Sequence, residues 1–211
     1  MLHPRIKQQY GIDSNSEKAW VGQGLMTEIY RGPWFVVPFL RIGSARRILF
    51  TETGTDITFS VHNYAYRDSF DRETLTWKRT FQFPGHKRHF DETLVFSEKR
   101  NRPIVFAGTH QHLSVDLHFT VENGDLVLKT GAQRLFLPIA TIWFPQLLSG
   151  VAYVRESYND ELERFEIDVD IRNSIFGTIF GYRGWFHLEM INCTRECIPA
   201  DAFPRVESVR E

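Results

Sequence analysis

Cysteine is nearly missing: Cys193 and Cys197 are the only two in 211 residues. Their C-x-x-x-C spacing is not that of a zinc knuckle, and no second pair follows to complete four ligands. Two cysteines are also too few for a disulfide framework, so reduced thiols in a cytoplasmic protein are expected. Charge of one sign is missing too. With 25 basic and 26 acidic residues the formal net charge is -1, so no field of one sign draws in nucleic acid or anionic lipid and electrostatics nominate no partner. The N-terminal MLHPRIKQQYG carries charges where a signal peptide needs an apolar run, so no export signal is expected. One uncharged run, LFLPIATIWFPQLLSGVAYV at 135–154, is long enough to cross a bilayer. Pro138, Pro145, Gln146 and Gly150 interrupt it, so a buried or interfacial segment is expected and membrane spanning is not. Neither G-x-G-x-x-G, a P-loop nor G-x-S-x-G occurs, which removes the common nucleotide-binding and serine-hydrolase readings.

What is present is aromatic and alternating. Hydrophobic residues make up 42% of the chain and aromatics 14%, with 18 Phe, enough for the core of a single folded domain over 1–211. Residues 1–20 read as a short helical N-terminal segment, with Pro4 at its first turn and Gly11 at its end. From there 22–192 reads as a β-rich body and 193–211 as a tail. Period-two segments lie at 24–31, 57–66, 75–83, 88–97, 104–109, 112–121, 126–130, 151–158, 162–172 and 182–191. The fold class is therefore mainly β: a large curled antiparallel sheet that closes into a barrel-like or sandwich fold. One short internal helix is expected around 139–148. Pro33 and Pro38 make 33–40 an apolar extended segment.

Four stretches together carry a family resemblance: GLMTEIYRGPWFVVPFL, VHNYAYRDSFDRETLTWKRTFQF, GTHQHLSVDL and SIFGTIFGYRGWF. The chain resembles, from about residue 3 to 190, the bacterial family of domain of unknown function 4166. In bacilli and actinobacteria such chains occur alone or fused to a dinucleotide-binding reductase-like domain. The resemblance implies a reductase as a partner and an organic, lipid-like molecule as a ligand. It carries over no activity and no catalytic residue, and the cofactor is left open.

Three constellations could carry chemistry. In GTHQHLSVDLHFTV, read as a strand, His110, His112, Ser114, Asp116 and His118 share one face. His110 and His112 at i and i+2 are the metal candidates, with Asp116 beside them. The spacing matches the first metal motif of cupins with Asp in place of Glu, but no second motif follows. The alternative is a polar strand face bonded to its neighbours. Second, Glu156 shares a strand face with Val154 and Tyr158, where a carboxylate is either an acid or base of raised pKa or one half of an ion pair. Asp168 and Asp170 read as the polar side of the next strand. Tyr64 with His62 and Tyr66, and Trp77 with Arg79 and Phe81, are mixtures that line a ligand cavity or simply fill an aromatic core.

Third, the proline-broken segments 33–40 and 135–148 hold Trp34, Phe35, Phe39, Trp143 and Phe144. Exposed, they form a ligand, partner or membrane patch; folded inward, the expected case, they plug one end of the barrel. The readings are a protein that binds a small apolar ligand in a cavity, an enzyme using the histidine strand or an acid/base pair, and a docking module for a reductase or a membrane. Whether the protein is an enzyme is left open.

Overall fold

In the computed structural model, which describes residues 1–137, 139–145 and 149–209, the alternation becomes a single sheet of eleven strands. They are β1 (Lys18–Arg31), β2 (Gly54–Arg67), β3 (Glu73–Phe83), β4 (His86–Ser97), β5 (Arg102–Ala107) and β6 (Leu113–Glu122). β7 (Asp125–Phe136), β8 (Thr141–Trp143), β9 (Val151–Asn159), β10 (Arg164–Asn173) and β11 (Gly177–Asn192) follow, with short helices α1 (Pro4–Gln9) and α2 (Val37–Ser44). Neighbouring strands pair antiparallel as a meander. β6 pairs with β7, β7 with β9, and β11 with β1, so ten strands close into a barrel and β8 is an extra strand beside β7. The open choice between barrel and sandwich is settled as a barrel.

Closure runs along β1 and β11, in register from Lys18↔Asn192 to Arg31↔Phe180 with a bulge between Met26 and Glu28. An open sheet would leave two edges of unpaired N–H and C=O groups; this seam removes both. The sharp curl there needs glycine. A Cβ on Gly24 would lie 2.0 Å from the Trp185 carbonyl oxygen, and one on Gly184 would lie 2.2 Å from that of Leu25. The two strands approach this closely only because both positions lack side chains.

Inward positions hold an aromatic cluster: Phe50 lies 4.9 Å from Phe81 and 4.8 Å from Phe180, and Phe81 lies 5.2 Å from Phe59 and from Tyr182, by ring centroids. Each such ring contributes roughly 1.5–3 kcal/mol on burial. One end of the barrel is closed by α1, whose Ile6 is fully buried. The other end is closed by the 32–53 connection, and here the expected extended segment is corrected. A 3-10 turn at Trp34–Val36 leads into α2, with Pro38 in its first turn, where a missing N–H breaks no helical bond. Val36 and Leu40 point into the core, whereas Trp34 and Phe39 are 81% and 74% exposed. The inward reading of this segment thus fails for its largest side chains. α2 is the short internal helix; within 139–148 the chain instead forms β8, and Pro138 and residues 146–148 lie outside the described residues. Trp143 is 57% exposed, while Phe144 is intermediate. No helix among the described residues is long and apolar enough to cross a membrane.

The tail runs over the outer wall. Ile198 and Ala202 cover Tyr64 and Tyr66, and Phe203 meets Tyr66 edge to face at 4.7 Å between ring centroids. Further along the wall a buried charge is neutralised: Arg134, with no exposed surface, donates from Nη2 to Asp116 Oδ1 at 2.8 Å, and Arg100 Nε donates to the same carboxylate at 2.9 Å. Burial pushes the Asp116 pKa up, but the two guanidiniums outweigh it and hold it below the usual carboxylate range. Asp116→Asn removes the counter-charge and strands Arg134. The expected loss is about 3–5 kcal/mol of unfolding free energy in urea melts; an unchanged midpoint would refute this role.

Candidate functional site

Of the residues expected to form a metal centre, His110 and His112 lie side by side, while Asp116 is taken up by Arg100 and Arg134. His110 and His112 precede β6, in a bend where Gln111 takes φ +50°, so they are not alternate residues of a strand. The tail causes this. Gln111 is fully buried and its side-chain oxygen accepts from the Ser208 N–H at 2.7 Å, which pins the bend and breaks the alternation. His112 Nδ1 lies 2.7 Å from Arg46 Nη1, and the two histidine rings stand 5.6 Å apart. Burial, Arg46 and His112 together hold the His110 pKa below its ordinary value. Asp116 is engaged by arginines. Among the described residues no group of three or more His, Cys, Asp or Glu side chains could hold a metal. Tyr64 lies on the outer wall beneath the tail, with its hydroxyl 3.0 Å from His62 Nδ1. Asp168 is exposed on the outside of β10 and Asp170 pairs with Arg172, also outside.

Glu156 lies elsewhere. β9 turns it into the lumen, 5% exposed, where α1 meets it: Gln9 Nε2 donates to Oε1 at 2.8 Å and the Tyr10 hydroxyl donates to Oε2 at 2.7 Å. Among the described residues no Lys or Arg forms an ion pair with it. Burial pushes its pKa up; the bonds from Tyr10 and Gln9 and the charge of Arg79 only partly oppose this. Tyr10 is likewise raised, by burial and then by the Glu156 charge. Burial also pushes Tyr182, on β11 two strands away, up to about 12.

A second pair faces the same space. Arg79 Nη1 donates to Glu92 Oε2 at 2.6 Å across the β3–β4 ladder. The guanidinium sits over the rings of Phe90 at 5.0 Å and Trp77 at 5.7 Å. Burial disfavours its charge, but Tyr182 and Glu92 outweigh that and the pKa is raised. Between these groups lies a cavity of about 70 Å³, lined also by Phe59, Val61, Leu117, Leu128, Thr130 and Val154. Gln9 Oε1 has no hydrogen-bond partner among the described residues.

Sequence reading named Arg79 among possible cavity-lining residues but passed over Gln9, Tyr10 and the pairing of Arg79 with Glu92. The signal was there for the pair: Arg79 interrupts the apolar face Leu75, Trp77, Phe81, Phe83, and Glu92 interrupts the face of Phe90 and Leu94. Gln9 and Tyr10 had no signal, because nothing in a six-residue helix says which strand it meets. Chemically, the lumen offers a carboxyl that holds its proton above the usual range, a phenol, and a guanidinium balanced by a carboxylate. That set can hold a polar group from several sides or exchange a proton with it.

Fold and site together define a closed antiparallel barrel with a polar-centred, helix-plugged lumen. The chain belongs to the family of domain of unknown function DUF4166, whose model matches residues 2–186. It is similar to the uncharacterized protein YndH of Bacillus subtilis (strain 168), at 34% identity over 190 residues, covering 90% of this chain and 92% of that protein. No solved structure matches.

The raised Glu156 pKa has a direct consequence for stability. The folded state holds this proton more tightly than the unfolded state, so Glu156 costs nothing below the ordinary carboxylate pKa. Its destabilisation grows as pH rises through the window up to the raised folded value, then levels off. Glu156→Gln keeps the shape and removes the titration. In melts from pH 4 to 8, this variant should lose less stability on going to high pH than the parent; parallel curves would contradict the assignment.

Proposed function

We propose that the protein binds a small amphipathic molecule in the barrel lumen, its apolar body against Phe59, Val61, Leu117 and Val154 and its polar end on Glu156 and the Arg79–Glu92 pair. The observation that carries this reading is the convergence of charged and phenolic side chains on an enclosed space that is otherwise apolar. A core needing only stability would put an aliphatic residue at each of these positions, since buried ionic groups stabilise little against apolar ones. An apolar wall with a few fixed polar groups is the usual make-up of a ligand site. Closed barrels with enclosed ligands give an analogy at the level of fold only.

The cavity of about 70 Å³ takes roughly two waters at about 30 Å³ each, so a larger ligand needs room. α1 supplies it. Gln9 and Tyr10 occupy the polar anchor from one end, and a six-residue helix is too short to be stable without its packing. Ligand and plug therefore compete for Glu156. The two cysteines, both free thiols, fit a reducing compartment such as the cytoplasm.

The probe 1-anilinonaphthalene-8-sulfonate tests this. Tyr10→Ala opens the lumen and should tighten binding about tenfold, or about 1.4 kcal/mol. Ala152→Phe, on the lumen wall, should abolish the emission while circular dichroism stays unchanged. Equal probe binding by parent and both variants would place the probe outside the barrel and end the reading.

A further inference from the structure

At the end of the barrel opposite α1, the chain exposes what a core normally hides. Trp34 is 81% exposed, Phe39 74% and Ile42 73%. The β10–β11 turn adds Ile175 at 59% and Phe176 at 48%. The two groups are continuous, because Phe35 touches Trp34 at 6.1 Å and Phe176 at 5.9 Å between ring centroids. They form one apolar patch on two connections, and patches of large side chains on a single molecule mark contact surfaces.

Charge says what the patch contacts. Residues 29–50 contain Arg31, Arg41, Arg46 and Arg47 and no Asp or Glu. Arg47 is used internally, by Asp91 at 3.0 Å and by Asp201. Arg31, Arg41 and Arg46 are exposed and have no carboxylate within ion-pair distance among the described residues. Arg31 also donates to the Thr51 and Gly32 carbonyls and Arg46 lies 2.7 Å from His112 Nδ1. In a chain of net charge -1, this is a local excess of arginine on the connection that carries Trp34, Phe39 and Ile42. On the α2 wheel Leu40 points to the core, Phe39 and Ile42 share one outward flank, and Arg41 projects from the other. Trp and Phe that seat at the headgroup level, with arginines reaching phosphates beside them, supply the two signals that stable surface binding needs. A protein partner would leave the arginine excess unexplained unless it were acidic; a bilayer with anionic headgroups satisfies both the apolar and the cationic part.

We propose that this end of the barrel, through Trp34, Phe39, Ile42 and Phe176 with Arg31, Arg41 and Arg46, docks on the surface of an anionic lipid bilayer without crossing it. This rests on the exposed end alone and holds whether or not the lumen takes a ligand.

The test is co-sedimentation of the full chain with vesicles of phosphatidylcholine alone and of phosphatidylcholine with phosphatidylglycerol in equal parts. Binding is expected only to the mixed vesicles, falling at least about tenfold between 50 and 500 mM salt as screening shortens the reach of the arginines. Trp34→Ser with Phe39→Ser should abolish binding, and Arg41→Glu should weaken it severalfold. Both variants should melt like the parent, because all three side chains are outside the core. No sedimentation with either vesicle overturns the proposal. Equal binding to both, insensitive to salt, overturns the anionic assignment. Self-association in analytical ultracentrifugation that the double variant abolishes, without vesicle binding, would make the patch an interface between copies and also refute it.

Discussion

The pairing of β1 with β11 is the constraint on which the rest depends. Without it, the sheet is a curled ribbon with two open edges, and every inward residue has a path to water. With it, inside and outside become distinct solvents. The alternation of each strand then sorts its residues between a lumen and a wall, and the same pair of chemistries behaves differently on each side. Arg155 with Glu122 and Asp125 on the wall is an ordinary exposed ion cluster of little energetic weight. Arg79 with Glu92, and Glu156 with Tyr10, sit where desolvation dominates and the protonation of each group depends on its neighbours.

The two ends of the barrel are closed by different means. The α2 end is packed with Phe50, Phe83, Phe180, Val36 and Leu40, an apolar stopper that has nothing to gain by leaving. The α1 end is closed by a short helix held by Ile6, by hydrogen bonds to a carboxylate, and by the His3 N–H to the Gly124 carbonyl at 2.9 Å. Polar contacts inside an enclosed lumen are strong while made, yet an incoming polar group can replace them one for one. Opening is therefore expected at the α1 end, and the outer side of the α2 end is left free for a contact of another kind.

Much of the fold was legible in the sequence because closed meanders write themselves as period-two segments separated by turns. All ten period-two segments correspond to barrel strands, and α1 and its proline start were readable. Two errors have clear causes. The histidine stretch alternates on paper, but the tail holds Gln111 and bends the backbone there; an interaction 97 residues away in sequence leaves no local trace. In the 33–40 stretch, Pro38 was taken as a barrier to helix when it stands in the first turn, the one place where a helix accepts it. The lumen was partly legible. Glu156 and Arg79 each break an apolar alternating face, but a sequence does not say that the face closes on itself, nor which helix residues plug it. Tyr64 lies outside the lumen; its strand is buried on both sides near the tail, so alternation there no longer marks inside from outside.

The central claim is that α1 is a removable plug on a closed barrel, and hydrogen exchange tests it most directly. The Tyr10 N–H, bonded to the Ile6 carbonyl, and the amides of the β1–β11 seam are protected in the same closed state but should open in different units. The account predicts that α1 amides exchange orders of magnitude faster than seam amides, and faster still when a lumen probe is bound. Exchange of α1 in step with the seam, unchanged by the probe, would show that the helix leaves only when the barrel unfolds, and would contradict the account.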